Sequence, residues 1–270
     1  KVTLLPRPEP GADVVAPVIA AAADFGVTFG AGMVAARSQG LPVTAIATIY
    51  RRYPLVFMTL ASSGITRPHD FPGHTVRTLT PGGSAVAFRA MMTRLGLDPH
   101  SVRQVDVGFD LSPFLAGELD IWPGYITNEV LAARQRGYQV NLILPDDYGV
   151  HLYGDTLFTT ERLIQENPDL VLRFLRATLR GWRWAVENPQ EAGPLALKYD
   201  PTLDAAHEAA LMEASIPLIH TGEDQVGWMK DKIWADTHQM LSEQGLLAGP
   251  VDLNKVYTMQ FLQRIYGGGR

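Results

Sequence analysis

Short apolar runs alternate with helix-forming segments through the first half of the chain, and this alternation constrains its fold more than any other feature. Runs at residues 2–5, 24–30 and 43–50 are typical of strands, and the segments at 12–22 and 33–39 between them are typical of helices. A β-α-β-α-β order predicts a largely parallel α/β sheet, because parallel strands need a crossover connection that is usually helical.

A second set of the same kind follows the apolar run at residues 55–60. In chain order it comprises a strand at 76–79, a helix at 84–95, a strand at 102–107, a short helix that starts at Ser112 and Pro113, and a strand at 119–122. The two sets predict two similarly built α/β lobes.

The two sets also share a ten-residue segment, 16–25 in the first and 112–121 in the second, which align without a gap. The identical pairs include Pro17 with Pro113, Ala20 with Ala116, and Asp24 with Asp120. Each segment is typical of a helix that starts with proline and runs at once into a strand. A match of this length also arises by chance, because helix starts favour proline.

Residues 120–161 contain one Trp, four Tyr and several carboxylates beside Gly and Asn. This mixture suits the wall of a cleft that stacks a flat solute and bonds its edges, and it equally suits core aromatics with polar tips outside. Ligands of open α/β sheets lie at the carboxyl ends of the strands. The turns at 28–32, 80–84 and 122–128 are therefore expected to face one cleft between the lobes.

From residue 160 onward the pattern becomes helical. A long amphipathic helix is predicted at 168–186, where Asn167 serves as its cap, and further helices are predicted near 190–198, 203–216, 230–243 and 254–266.

Composition excludes several classes of function. With 46% hydrophobic and 19% charged residues and a net charge of −5, the chain has the composition of a globular protein without a basic field for nucleic acid. The absence of cysteine excludes disulfides, thiolate catalysis and iron-sulfur clusters. No apolar run approaches the roughly 18 to 20 residues of a membrane span, and the start of the chain lacks a signal-peptide layout.

The motifs favour binding over catalysis. The glycine turn at 80–84 could grip an anion at a helix start, but the motif alone favours a plain turn with a serine cap. Asp146 and Asp147 are adjacent and more typical of solvated loop charges than of an acid–base pair. The seven histidines show no metal-ligand spacing, and no nucleophile elbow occurs. We expect no cofactor and no metal.

Five segments resemble one known family. They are 10–13 (PGAD), 23–27 (ADFGV), 106–110 (DVGFD), 146–150 (DDYGV) and 166–177 (ENPDLVLRFLRA). In this order they resemble the solute-binding proteins of ABC importers that are related to thiamine-pyrimidine synthases. That group includes formylaminopyrimidine, hydroxymethylpyrimidine and riboflavin binders and, more distantly, sulfonate and taurine binders.

The resemblance implies a periplasmic-binding-protein fold of type II, with two α/β lobes around a ligand cleft. Residues 1–64 would begin the first lobe, 65–145 would form the second, and 146–270 would return to the first. Hinges would lie at 62–64 and 147–150. Family members have a further strand and helix upstream of the point where this chain opens.

The resemblance also suggests ligand contacts. Tyr148, Tyr153 and Asp155 match the ring-holding segment of the pyrimidine binders, although Asp155 stands where that group has Glu. Trp122, Tyr125 and Asn128 would line the opposite wall, Gly82, Gly83 and Ser84 would meet an anionic tail, and Thr28 and Phe29 would complete the set.

The implied function is capture of a small heterocycle, a thiamine pyrimidine precursor or riboflavin, for delivery to an ABC permease without turnover. The protein would be periplasmic or extracellular, and before processing it could be tethered to the membrane as a lipoprotein. The alternatives are a pyrimidine synthase-like enzyme of the same fold, whose known members carry a cysteine-rich motif and a cofactor lysine, a sulfonate or taurine binder, and a sensor domain.

Overall fold

The computed structural model describes residues 1–5, 13–79 and 83–267. Contacts divide the chain into two compact units. Unit 1 comprises Lys1–Arg51, Leu152–Arg183 and Ile219–Arg270, and unit 2 comprises Arg52–His151 and Trp184–Leu218. The lobe boundaries and the hinges given above stay predictions.

The elements are numbered in chain order. The strands are β1 (Gly26–Phe29), β2 (Val43–Thr48), β3 (Leu55–Leu60), β4 (Thr75–Arg77), β5 (Arg103–Val105), β6 (Ile121–Tyr125), β7 (Val140–Ile143) and β8 (Asp155–Thr160). The helices are α1 (Ala16–Ile19), α2 (Gly30–Ser38), α3 (Gly83–Arg94), α4 (Ser112–Leu115), α5 (Glu129–Gln135), α6 (Glu161–Glu166), α7 (Pro168–Glu187), α8 (Pro189–Ala192), α9 (Ala205–Ile219), α10 (Asp231–Glu243), α11 (Leu253–Val256) and α12 (Gln260–Tyr266). The fold is mixed α/β with two sheets.

The sheet of unit 1 has the order β1-β8-β2, and β8 is antiparallel to both of its neighbours. Helices supply its core, which includes Met33 of α2, Leu179 of α7 and Trp234 of α10, all fully buried. Phe25, just before β1, stacks on Phe174 of α7 with ring centroids 3.8 Å apart. The prediction of a largely parallel sheet is wrong for this unit, because β8 inserts between β1 and β2.

The sheet of unit 2 has the order β5-β4-β6-β3-β7. Strands β5, β4 and β6 are parallel, as the β/α alternation predicted, whereas β3 is antiparallel to β6 and β7. Because side chains alternate along a strand, β3 directs Phe57 to one face and Met58 to the other. Phe57 packs on Phe88 of α3 with centroids 5.4 Å apart, and Met58 joins a cluster with Phe114 of α4. Helices therefore cover both faces of this sheet.

The repeated segment has the same local structure in both units. Four-residue helices α1 and α4 each have proline in the first turn, and each ends at an alanine cap, Ala20 or Ala116. The next residue has a left-handed backbone in both, with φ of 58° at Ala21 and 77° at Gly117. A strand follows within a few residues, as the sequence predicted.

Two predicted elements are wrong. Residues 2–5 form no strand, and Val2, Leu4 and Leu5 are each about 60% exposed, because an apolar run becomes a strand only where a neighbour takes up its backbone hydrogen bonds. The single helix expected at 254–266 is divided into α11 and α12. Between them Tyr257 is extended, bridges Ala45 of β2, and stacks on Trp234.

The helix predicted at 12–22 is shorter than expected among the described residues, since α1 spans only Ala16–Ile19. In the described part of the chain, no helix has both the length and the apolarity that crossing a bilayer requires.

Candidate ligand-binding site

Two tyrosines mark the edge of the unit 2 sheet where the carboxyl ends of β4 and β6 meet. Tyr125 ends β6 and is 41% exposed. Its hydroxyl lies 3.3 Å from the hydroxyl of Tyr53, and the two rings meet edge to face with centroids 6.0 Å apart. The pair presents apolar ring surface and two hydroxyl groups at the position where parallel strands usually bind ligands.

The start of α3 lies against the same pair. A side chain at Gly83 would collide with the hydroxyl of Tyr53, so only glycine allows this close approach. Ser84 is buried in the first turn of the helix. Because backbone N–H groups at a helix start carry partial positive charge, this end of α3 favours anionic or acceptor groups. The predicted contact Gly82 lies outside the described residues.

The backbone beyond Tyr125 is held by a carboxylate. Glu129, in the first turn of α5, accepts a hydrogen bond of 2.7 Å from the Tyr125 amide through Oε2. Asn128 is exposed, and its side chain forms no cap hydrogen bond with α5. Its carboxamide therefore faces water within three residues of Tyr125.

Sequence reasoning missed Arg77, at the carboxyl end of β4. It is 8% exposed, and its guanidinium lies 4.8 Å from the ring centre of Phe109 and 5.0 Å from that of Trp122. Nη1 donates to the Gly108 carbonyl oxygen. Burial lowers the pKa of Arg77, and the negative charges of Glu129 and Asp106 oppose that shift. An arginine in a predicted apolar strand was the signal that could have identified it.

Trp122 is 1% exposed and lies in the core cluster of unit 2 with Phe114 and Met58. The guanidinium of Arg77 lies over the Trp122 ring. The structure therefore shows Trp122 as a packing residue beside Tyr125.

Tyr148 lies apart from the tyrosine pair. It ends a short 3₁₀ turn whose next residue, Gly149, lies against the guanidinium of Arg94. Arg94 is the last residue of α3, so Tyr148 is near one end of this helix and Gly83 is at the other, about 18 Å away. Burial raises the pKa of the Tyr148 hydroxyl, and the nearby carboxylates of Asp147 and Asp70 add to the shift.

In unit 1 the structure brings together three of the predicted contacts. Phe29 ends β1 opposite Asp155, which begins β8, and Thr28 lies opposite Thr156. The Ile49 amide, just after β2, donates to the Asp155 carbonyl oxygen at 2.7 Å. The carboxyl ends of β1 and β2 and the start of β8 therefore share one edge of the sheet.

The Asp155 carboxylate accepts no hydrogen bond from any residue in the described ranges, and the side chain is exposed. Burial nevertheless raises its pKa. Water reaches this carboxylate, and nearby protein partly desolvates it. It is available as a hydrogen-bond acceptor for a ligand.

Tyr153 has a different place from Asp155. It is 2% exposed, its ring meets Trp234 edge to face at 5.3 Å, and its hydroxyl accepts a 2.7 Å hydrogen bond from the Lys230 amide. Its carbonyl oxygen accepts from the Gly30 amide at 3.0 Å, which fixes the start of α2. Burial raises the pKa of its hydroxyl. The structure shows Tyr153 as a support for the edge that carries Phe29.

Curated relatives resemble most of the chain. A riboflavin-binding protein of Chloroflexus aurantiacus is 29% identical over 248 residues, covering 88% of this chain and 70% of that protein. A formylaminopyrimidine-binding protein of Halalkalibacterium halodurans is 28% identical over 224 residues, covering 78% and 68%. A 4-amino-5-hydroxymethyl-2-methylpyrimidine phosphate synthase of Legionella pneumophila is 25% identical over 266 residues, covering 97% and 82%.

Solved structures show the same fold. The periplasmic aliphatic sulphonate-binding protein of Escherichia coli superposes with a TM-score of 0.71 at 15% identity, covering 89% of this chain and 77% of that one. The family described as NMT1/THI5 like matches residues 1–192, which is most of the chain. The chain therefore belongs to the NMT1/THI5-like family.

Proposed function

We propose that this protein is the extracytoplasmic solute-binding component of an ABC importer and that it captures a flat heterocycle of the flavin or pyrimidine class. The two relatives with the highest identity given above are named for riboflavin and formylaminopyrimidine binding, which supports this ligand class. The observation that carries the proposal is the exposed Tyr125 ring, held against Tyr53 at the carboxyl edge of β4 and β6.

Each polar group near that ring has a proposed role. The Tyr125 ring stacks on or packs against the heterocycle, and the exposed Asn128 side chain bonds its polar edge. Gly83 and Ser84 at the start of α3 receive an acceptor or anionic substituent. In unit 1, Thr28, Phe29 and Asp155 stay candidate contacts, with Asp155 as an acceptor for a ring N–H. Trp122 and Tyr153 act by holding these residues in place.

A second candidate is a pyrimidine synthase. The relative from Legionella pneumophila favours it, since the match covers 97% of this chain. We propose binding without turnover because two relatives of higher identity are named as binding proteins and because the chain has no cysteine to serve in a cysteine-dependent site. Delivery to a permease is part of the same proposal.

The test is a titration of the purified protein with riboflavin, followed by flavin fluorescence, and with formylaminopyrimidine, followed by calorimetry. One of the two should bind, and Tyr125→Ala should weaken that binding by on the order of 2 kcal/mol, about thirtyfold in Kd. Tyr138→Ala is the matched control, because Tyr138 is a tyrosine of unit 2 with similar exposure, 39%, that does not contact Tyr53.

Failure of both solutes to bind would reject the ligand class. Equal weakening by both alanine variants would reject the tyrosine pair as the site. Formation of a new pyrimidine product during incubation would favour the synthase, and recovery of the unchanged heterocycle by mass spectrometry would favour the carrier.

A further inference from the structure

One face of α7 carries a row of arginines on a chain whose net charge is −5. The row comprises Arg173, Arg176, Arg180 and Arg183. On a helix of 3.6 residues per turn these four positions fall within an arc of roughly 80° and extend for about 15 Å along the axis. The row is therefore a local reversal of the sign of the protein's charge.

Three of these arginines are not neutralised within the described part of the chain. Arg173 forms an ion pair with Asp169 at 2.8 Å. Arg176, Arg180 and Arg183 form no ion pair with any described carboxylate, and the guanidinium of Arg183 lies 6.0 Å from the ring centre of Tyr266. That contact places α12 beside the arginine row.

Helix α12 adds a fifth arginine, the fourth without an ion pair in the described part of the chain, and makes the surface concave. An open groove of about 590 Å³ lies between the two helices, lined by Leu172, Arg176, Gln260, Gln263, Arg264 and Gly267. Arg264 likewise forms no ion pair with a described residue, and α12 contains no acidic residue. The groove thus combines two guanidinium groups and two carboxamides with the apolar side chain of Leu172.

This chemistry suits an extended segment that carries carboxylates. A guanidinium binds a carboxylate through two parallel hydrogen bonds, and a carboxamide can both donate to and accept from a peptide backbone. A flat bilayer would meet the arginine row but would not fill a groove beside it. We propose that the groove between α7 and α12 docks an acidic segment of a partner protein, with Arg176 and Arg264 binding its carboxylates.

The experiment measures the binding of a fluorescein-labelled octaglutamate peptide to the intact chain by fluorescence anisotropy at low ionic strength. The double variant R176E/R264E should weaken binding at least tenfold, because it places two like charges in the groove. The control is R103E/R134E, which makes the same change in net charge at two exposed arginines of unit 2 and should leave Kd within about twofold.

A second variant keeps the test decisive if R176E/R264E does not fold. Q260A/Q263A leaves the charge unchanged and should weaken peptide binding about threefold, because two hydrogen-bonding side chains are lost. Thermal unfolding establishes that each variant folds.

Three outcomes would overturn the proposal. The unaltered chain could fail to bind the peptide, or the control pair could weaken binding as much as the groove pair, which would make the effect one of net charge alone. The groove pair could also abolish binding to phosphatidylglycerol vesicles while leaving peptide binding intact, which would identify a membrane surface as the partner. None of these results bears on solute capture, so the two proposals stand or fall separately.

Discussion

In unit 1 the repeated segment passes through α1 into β1, which among the described strands pairs with β8 alone. In unit 2 it passes through α4 into β6, which lies between β4 and β3. The backbone is the same as far as the left-handed residue, Ala21 in one unit and Gly117 in the other. The ten-residue pattern thus determines a local turn, whereas the position of the strand in its sheet depends on residues elsewhere in the chain.

The matched aspartates show where the two copies diverge. Asp120 accepts hydrogen bonds of 2.7 Å from both the amide and the hydroxyl of Thr75, so it joins β6 to the start of β4. At Asp24 the backbone carbonyl oxygen accepts a hydrogen bond from Thr159, while the exposed carboxylate bonds to no described residue. Among the described residues, the aspartate side chain therefore forms tertiary hydrogen bonds only in the copy that enters a central strand.

The largest difference between the copies should appear when each aspartate is removed. Asp120→Ala should lower the free energy of unfolding by about 2 kcal/mol, because two donors of Thr75 lose a charged acceptor. Asp24→Ala should stay within about 0.5 kcal/mol, as exposed substitutions usually do. Urea unfolding of the two variants measures both effects, and equal losses would show that the copies do not differ in this way.

The Asp120 effect should also depend on pH. Burial alone would raise the pKa of Asp120, but the hydrogen bonds from Thr75 and the proximity of His74 outweigh it and lower the pKa. A lowered pKa gives stability that is present above the unfolded-state pKa and is lost as pH falls through the folded-state pKa. The difference between the parent chain and Asp120→Ala should therefore shrink on acidification.

A reciprocal exchange at the left-handed position should have a smaller effect. Gly117→Ala should cost roughly 1 kcal/mol, because a Cβ disfavours φ of 77° even where space is free. Ala21→Gly should stabilise by about 0.5 kcal/mol, since relief at φ of 58° is partly offset by the greater freedom of glycine in the unfolded chain. Destabilisation by Ala21→Gly would contradict this account of the shared turn.

The sequence predicted those helices and strands whose pattern lies within their own residues. The spacing of apolar residues identified α7, and β1 and β2 were identified as strands between turns. Helix α3 was also predicted, but Ser84 is its second residue and not the N-cap that the pattern suggested. Strand β8 was not predicted, although threonine favours strands, because its residues were assigned to the ligand wall at 120–161. Its hydroxyls are satisfied internally: Thr156 donates to the Gly154 carbonyl oxygen and Thr159 to that of Asp24.

The candidate site could be predicted only in part for the same reason. Tyr125 and Asn128 were suggested by the family resemblance, and the structure shows both exposed, while their contact with a ligand stays a prediction. Tyr53, which supports Tyr125, and the buried Arg77 were missed, since their proximity depends on strand pairing between distant segments. Sequence also gave no means of separating buried aromatics such as Tyr153 from exposed ones, because both occur beside Gly and Asp.

The smallest expected effect concerns two carboxylates. Asp155 lies beside the end of β1, and Glu129 lies beside the end of β6. Glu129 accepts a hydrogen bond from the Tyr125 amide, whereas Asp155 accepts none from a described residue and has a pKa raised by burial. A raised pKa means that the folded state binds more protons than the unfolded state between the two pKa values, so stability falls as pH rises through that window.

Removing the negative charge of Asp155 should therefore stabilise unit 1 at neutral pH. Asp155→Asn should raise the free energy of unfolding by less than about 1 kcal/mol, because water still reaches the side chain and screens the charge. The gain should disappear below both pKa values, and urea unfolding across the acidic range measures it. Asp24→Asn removes the same charge from an exposed position of the same unit and controls for net charge. If Asp155→Asn still raised the free energy of unfolding at acidic pH, the increase would have to come from the shape of the amide. The difference between Asp155 and Glu129 would then not be electrostatic.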